Sequence, residues 1–133
     1  MKRTSVITVT TAAIAASVVA AGPASASETW STCPSNSMCL YFNSVEHGLG
    51  SYEHWSPGPG YNLSDFRFAN YGNGSGYNYV VAGNAAAIDN NTGYTLWISD
   101  GSGSEWTVPA WYRGDLSGIS NTLPNNEYYF GIN

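Results

Sequence analysis

Beyond about residue 27 the chain alternates short aromatic, β-branched and aliphatic runs with clusters of Gly, Asn, Ser and Pro. The clusters interrupt every apolar run before three helical turns could form, so no window reads as a good helix. The runs predict strands over residues 38–43, 77–82, 94–99, 105–112 and 128–132. The strongest is Tyr94-Thr95-Leu96-Trp97-Ile98, which is wholly aromatic, β-branched or aliphatic. Turn signals lie between them at Pro57-Gly58-Pro59-Gly60, Gly72-Asn73-Gly74, Asn90-Asn91-Thr92-Gly93 and Asp100-Gly101. Many short strands with Gly-rich turns indicate an all-β sandwich or barrel.

A weak internal repeat refines this picture. Phe42 is followed six residues later by Gly48, as Trp97 is by Gly103. Asn62-Leu63-Ser64-Asp65-Phe66 is similar to Asp115-Leu116-Ser117-Gly118-Ile119, and Asn84-Ala85-Ala86 and Asn125-Asn126-Glu127 follow in the same order. Two units of four strands each predict paired Greek-key motifs packed face to face. The extra length of the first unit falls near residues 68–79, rich in Gly, Asn and Tyr.

Residues 1–26 have the three parts of an export signal. Lys2 and Arg3 start it, residues 6–21 carry no charge, and Ala24-Ser25-Ala26 supplies small residues for cleavage. The stretch is short and diluted for a membrane span of ~20 apolar residues. Cleavage after Ala26 leaves 107 of the 133 residues, enough for one domain over 27–133. Only Arg67 and Arg113 then stand against nine acidic residues, a net charge of −7 with no lysine. That composition argues against binding nucleic acid or an anionic membrane surface. In an exported chain, Cys33 and Cys39 are expected to form a structural disulfide.

Candidate chemistry is sparse. Glu46-His47 and Glu53-His54 repeat a dipeptide seven residues apart, and two His with a carboxylate suit zinc. Positions seven apart point to opposite faces of one strand, so the alternative is that these are solvated loop residues. No Gly-x-Ser-x-Gly elbow precedes a helix, and paired carboxylates occur in any acidic domain, so no enzyme activity is expected. Five Trp and ten Tyr exceed what a core of this size needs, and Tyr71, Tyr77 and Tyr79 lie in a Gly/Asn-rich loop. Such aromatics fit a partner surface or stacking on sugar rings.

Thr32-Cys33-Pro34-Ser35-Asn36-Ser37-Met38-Cys39-Leu40-Tyr41, with a Gly six residues after Phe42, resembles the first strand of secreted bacterial proteinase inhibitors. This is the family typified by the Streptomyces metalloproteinase inhibitor, with a βγ-crystallin-like fold of two Greek keys. Asn84-Ala85-Ala86-Ala87, then Asn90-Asn91-Thr92-Gly93-Tyr94-Thr95-Leu96-Trp97, resembles its mid-domain turn and strand, and residues 121–126 its closing segment. The resemblance implies a monomeric, secreted inhibitor of an extracellular protease, a metalloprotease first, that inserts a loop into the cleft. The inhibitory segment would be Asp100-Gly101-Ser102-Gly103-Ser104-Glu105-Trp106-Thr107, with Ser104, Glu105, Trp106 and Thr107 as contact residues and Trp106 as the anchor. No cysteines remain for the second disulfide such inhibitors carry beside that loop, so the segment is expected to be floppy. Where calcium-binding βγ-crystallins follow an Asn/Asp pair with Ser or Thr oxygens, this chain reads Asn84-Ala85-Ala86-Ala87 and Asn125-Asn126-Glu127-Tyr128, so weak or no calcium binding is expected and no cofactor is implied. The other readings are a carbohydrate- or cell-surface-binding module of killer-toxin type and a purely structural secreted domain.

Overall fold

The computed structural model describes residues 33–72 and 74–133. The export signal at 1–26, Trp30, Thr32 and Asn73 lie outside the described residues. Among the described residues, eight short strands form two four-stranded antiparallel sheets. They are β1 (Ser37–Tyr41), β2 (Tyr52–Trp55), β3 (Tyr61–Asn62), β4 (Ala87–Asn91), β5 (Leu96–Asp100), β6 (Glu105–Val108), β7 (Arg113–Asp115) and β8 (Glu127–Ile132). One sheet runs β2-β1-β4-β7 and the other β3-β8-β5-β6. The expected all-β sandwich is therefore what the chain forms.

The topology carries the internal repeat. Each group of four strands puts three into one sheet and lends its third, β3 or β7, to the other. Adding four to each strand of the first group gives its counterpart in the second. Short 3-10 turns at Leu63–Asp65 and Leu116–Gly118 follow β3 and β7 in equivalent places, and each buries its leading leucine. Asn62 caps the first of these by accepting the Ser64 N–H at 3.0 Å.

One core cluster joins the two sheets. Met38 and Leu40 of β1, Trp55 of β2 and Ile88 of β4 meet Leu96 and Ile98 of β5, Val108 of β6 and Phe130 of β8. The period of two sends the intervening residues of β1 outward. There Cys39 and Tyr41 join Cys33, Leu49, Tyr52 and Ala87 in a second, smaller cluster. The disulfide between Cys33 and Cys39 forms as expected and covers this outer face. Asn91 Nδ2 holds the bridged segment by donating to the carbonyls of Cys33 and Pro34 at 3.3 and 3.1 Å. Phe42 packs against the main core, whereas Trp97 is only half-buried and lies against Gly60.

Two strand expectations need correction. Residues 77–82 form turns, with only Val80 bridging to Arg67. Residues 105–112 are strand only through Val108, because Pro109 interrupts the ladder and Trp111 adopts a left-handed backbone, φ 60°. In the other direction, Asn90 and Asn91 end strand β4 rather than belonging to a turn.

Candidate functional site

The hairpin joining β5 to β6 holds the segment expected to meet a protease. Its ladder pairs Leu96 with Val108, Trp97 with Thr107, Ile98 with Trp106 and Ser99 with Glu105. Asp100, at the end of β5, organises the turn with one oxygen. Its Oδ1 accepts the Ser102 N–H at 2.9 Å, the Ser102 hydroxyl at 2.7 Å and the Ser104 N–H at 3.0 Å. Backbone bonds from Asp100 N–H to the Ser104 carbonyl and from Gly103 N–H to the Asp100 carbonyl close the ring. Gly103 sits at φ 89°, a conformation that favours glycine. The Ser102 hydroxyl first, then the backbone donors, hold the Asp100 carboxyl below the ordinary carboxylate range.

The candidate contact residues fall in two groups. Ser104 closes the turn, while Glu105, Trp106 and Thr107 belong to β6. Glu105 and Thr107 are exposed, and Trp106 turns inward against the core. Trp106 therefore ties the hairpin to the domain instead of standing at its tip. β6 is the edge of its sheet, with β5 on one side and no described strand on the other. The segment expected to be floppy makes three hydrogen bonds to this one carboxylate oxygen of Asp100. The reading from sequence missed this role of Asp100, although Asp followed by Gly-Ser is an Asx-turn signal.

The two Glu-His dipeptides do not come together. Glu46-His47 lies in a 3-10 turn, where Ser44 Oγ and His47 Nδ1 are 2.8 Å apart. Glu53-His54 lies on β2, with Glu53 Oε1 3.9 Å from His54 Nδ1. Among the described residues no group of three or more His, Cys, Asp or Glu side chains converges on one point. A cavity of about 600 Å³ lies between the first and second halves, lined by Asn43, Ser44, His47, Asp115, Ser117 and Asn125 among others. Asp115, one of its lining residues, accepts the Val45 N–H through Oδ1 at 2.7 Å.

Glu127, the third residue of the Asn125-Asn126-Glu127 repeat, is completely buried. Its Oε1 accepts the N–H groups of Asn84 and Ala85 at 3.0 and 2.6 Å, and its Oε2 accepts that of Asn126 at 3.0 Å. This carboxyl thus fastens the approach to β4 onto the start of β8. Burial pushes it up to about 8, against the pull of the backbone N–H groups.

Several aromatics remain outside any core. Trp111 is 65% exposed, and Tyr71, Tyr77, Tyr79, Tyr94, Tyr128 and Tyr129 also reach solvent. Trp111 N–H donates to the Thr92 carbonyl at 3.1 Å, and its ring lies over Gly93. No helix of the described residues is long and apolar enough to cross a membrane. No protein-family model matches this chain, and no curated protein or solved structure matches it.

Proposed function

We propose that the domain is a secreted inhibitor of an extracellular metalloprotease, which it blocks by placing the β5–β6 hairpin in the substrate cleft. The observation that carries this reading is the triple hydrogen bonding of the turn to Asp100 Oδ1. A loop ordered before it binds avoids a cost of about 0.5–1.5 kcal/mol for each side chain it would otherwise immobilise. The adjoining edge of β6 offers an extended backbone of the kind that pairs with another strand by β-augmentation. Glu105 is an exposed carboxylate at the start of that edge, and a carboxylate is a natural ligand for a catalytic zinc. These features favour a metalloprotease over a serine protease and require no catalysis by the inhibitor itself.

Secretion belongs to the same proposal, supported by the sequence of residues 1–26 and by the Cys33–Cys39 bridge, which persists in oxidising compartments. The reciprocal exchange of β3 and β7 between the sheets supports reading the two halves as paired Greek keys of βγ-crystallin type. The test is to titrate the purified protein into thermolysin-like and serine proteases and follow progress curves. Competitive inhibition of the metalloprotease, weakened in Glu105→Gln, is expected. Full activity of every protease at micromolar protein would overturn the proposal.

A further inference from the structure

A second cleft, of about 390 Å³, is lined by Arg67, Tyr77, Asn78, Tyr79 and Val80. It shares no residue with the β5–β6 hairpin. We infer that this cleft binds a saccharide whose pyranose ring carries a carboxylate. Its volume lies at the lower end of the ~300–1,000 Å³ range of small-ligand sites.

The cleft is built from a short ribbon inside the Gly/Asn/Tyr-rich segment. Phe68 N–H donates to the Tyr79 carbonyl and Asn78 N–H to the Phe68 carbonyl, both at 2.9 Å, while Arg67 bridges to Val80. Asn78 takes a left-handed conformation, φ 67°, and its carbonyl accepts from Arg67 Nη1 at 2.8 Å. The guanidinium is thereby held at one corner, and its other donors meet no acceptor among the described residues. Tyr77 and Tyr79 are 56% and 58% exposed. Tyr79 is steadied by Phe42, whose ring centroid lies 5.4 Å away.

Chemistry then selects the ligand. Arg113 is engaged by Asp89, at 3.1 Å, and Arg67 makes no ion pair among the described residues. A planar guanidinium is suited to bidentate recognition of a carboxylate. Exposed tyrosines such as Tyr77 and Tyr79 offer rings on which the apolar C–H faces of a sugar can stack, leaving its hydroxyls in water. A peptide anchor would call for a closed, desolvated pocket, and here Arg67, Tyr77, Asn78 and Tyr79 are all exposed. The net charge of −7 over residues 27–133 repels dense polyanions, so a sugar with an isolated carboxylate fits better than a sulfated polymer.

The test titrates the purified protein with three oligosaccharides and one peptide while tyrosine NMR signals or calorimetry reports binding. The sugars are a chito-oligosaccharide bearing a single uronic acid, an oligosaccharide containing one N-acetylmuramic acid, and neutral chito-oligosaccharide; the peptide ends in an aromatic residue with a free carboxylate. Binding of at least one acidic sugar, roughly tenfold tighter than the neutral one, is expected on the scale of a charge-assisted hydrogen bond. The two acidic sugars distinguish a uronic acid from a muramic-type ligand. Arg67→Gln should reduce acidic-sugar affinity to that of the neutral sugar, and Tyr77→Ala should weaken binding of both. Circular dichroism confirms that each variant is folded. Absence of binding to both acidic sugars at millimolar concentration, preference for the peptide, or affinity unchanged in the two variants would overturn the inference. No protease enters the assay, so its outcome is separate from that of the inhibition test.

Discussion

Replacing Glu127 with glutamine should remove much of the pH dependence of this domain's stability. The carboxyl is fully buried, and its folded value of about 8 stands above an ordinary 4.5. Between those values the folded chain holds a proton that the unfolded chain has released. The stabilisation is therefore complete below about pH 4.5 and is lost as pH rises through 8. At about 1.36 kcal/mol per pKa unit, the shift corresponds to a ceiling of roughly 5 kcal/mol. Burial is the largest influence on this carboxyl, and it works against the N–H groups of Ala85, Glu127 itself, Asn126 and Asn84, which favour the charged form. The Glu127→Gln side chain would retain both Oε1 bonds and set an NH₂ group against the Asn126 N–H, costing about 1–3 kcal/mol. The variant should thus be less stable than the parent at pH 5, and the gap should close or reverse by pH 9. Urea unfolding followed by tryptophan fluorescence at several pH values measures this gap, and the other titrating groups cancel in the difference. A gap that stays constant from pH 5 to 9 would show that the N–H donors keep Glu127 ionised and would refute the reasoning.

Other consequences concern packing and covalent restraint. Gly76→Ala should destabilise by about 2–4 kcal/mol, because φ is 81° there and a Cβ would fall inside the Phe42 ring; a melting curve within a degree or two of the parent's would contradict this. Reducing the Cys33–Cys39 bridge should cost roughly 2 kcal/mol for so short a loop, read from urea midpoints with and without reductant. Trp106→Ala should lower stability by about 2 kcal/mol through lost core contact, so any loss of inhibition must be measured well below its melting temperature.

The strands that sequence periodicity revealed are those whose side chains advertise burial. Leu96, Trp97 and Ile98 make β5 legible, and Met38 and Leu40 do the same for β1. Strand β4 was hidden because Asn90 and Asn91 read as turn formers and Asp89 before them is charged. Their polarity is satisfied inside the fold: Arg113 faces Asp89, and Asn90 Nδ2 donates to the carbonyls of Tyr94 and Pro109, each at 2.8 Å. Strand β3 has only two residues, too few for any period to register. The tyrosines at 77 and 79 suggested a strand, but frequent glycines and the left-handed Asn78 let that segment fold back into turns. At the hairpin the position of the candidate segment was legible. The inward direction of Trp106 was not, because facing depends on register against β5.

The central claim, that a preorganised β5–β6 hairpin blocks a metalloprotease, is tested most directly by one comparison of inhibition constants. The purified protein and its Asp100→Ala variant, each shown to be folded, are titrated into the same thermolysin-like protease. The account predicts competitive inhibition by the parent and about tenfold weaker inhibition by the variant, whose turn must then be ordered on binding. Equal inhibition constants, or no inhibition by the parent, would contradict it.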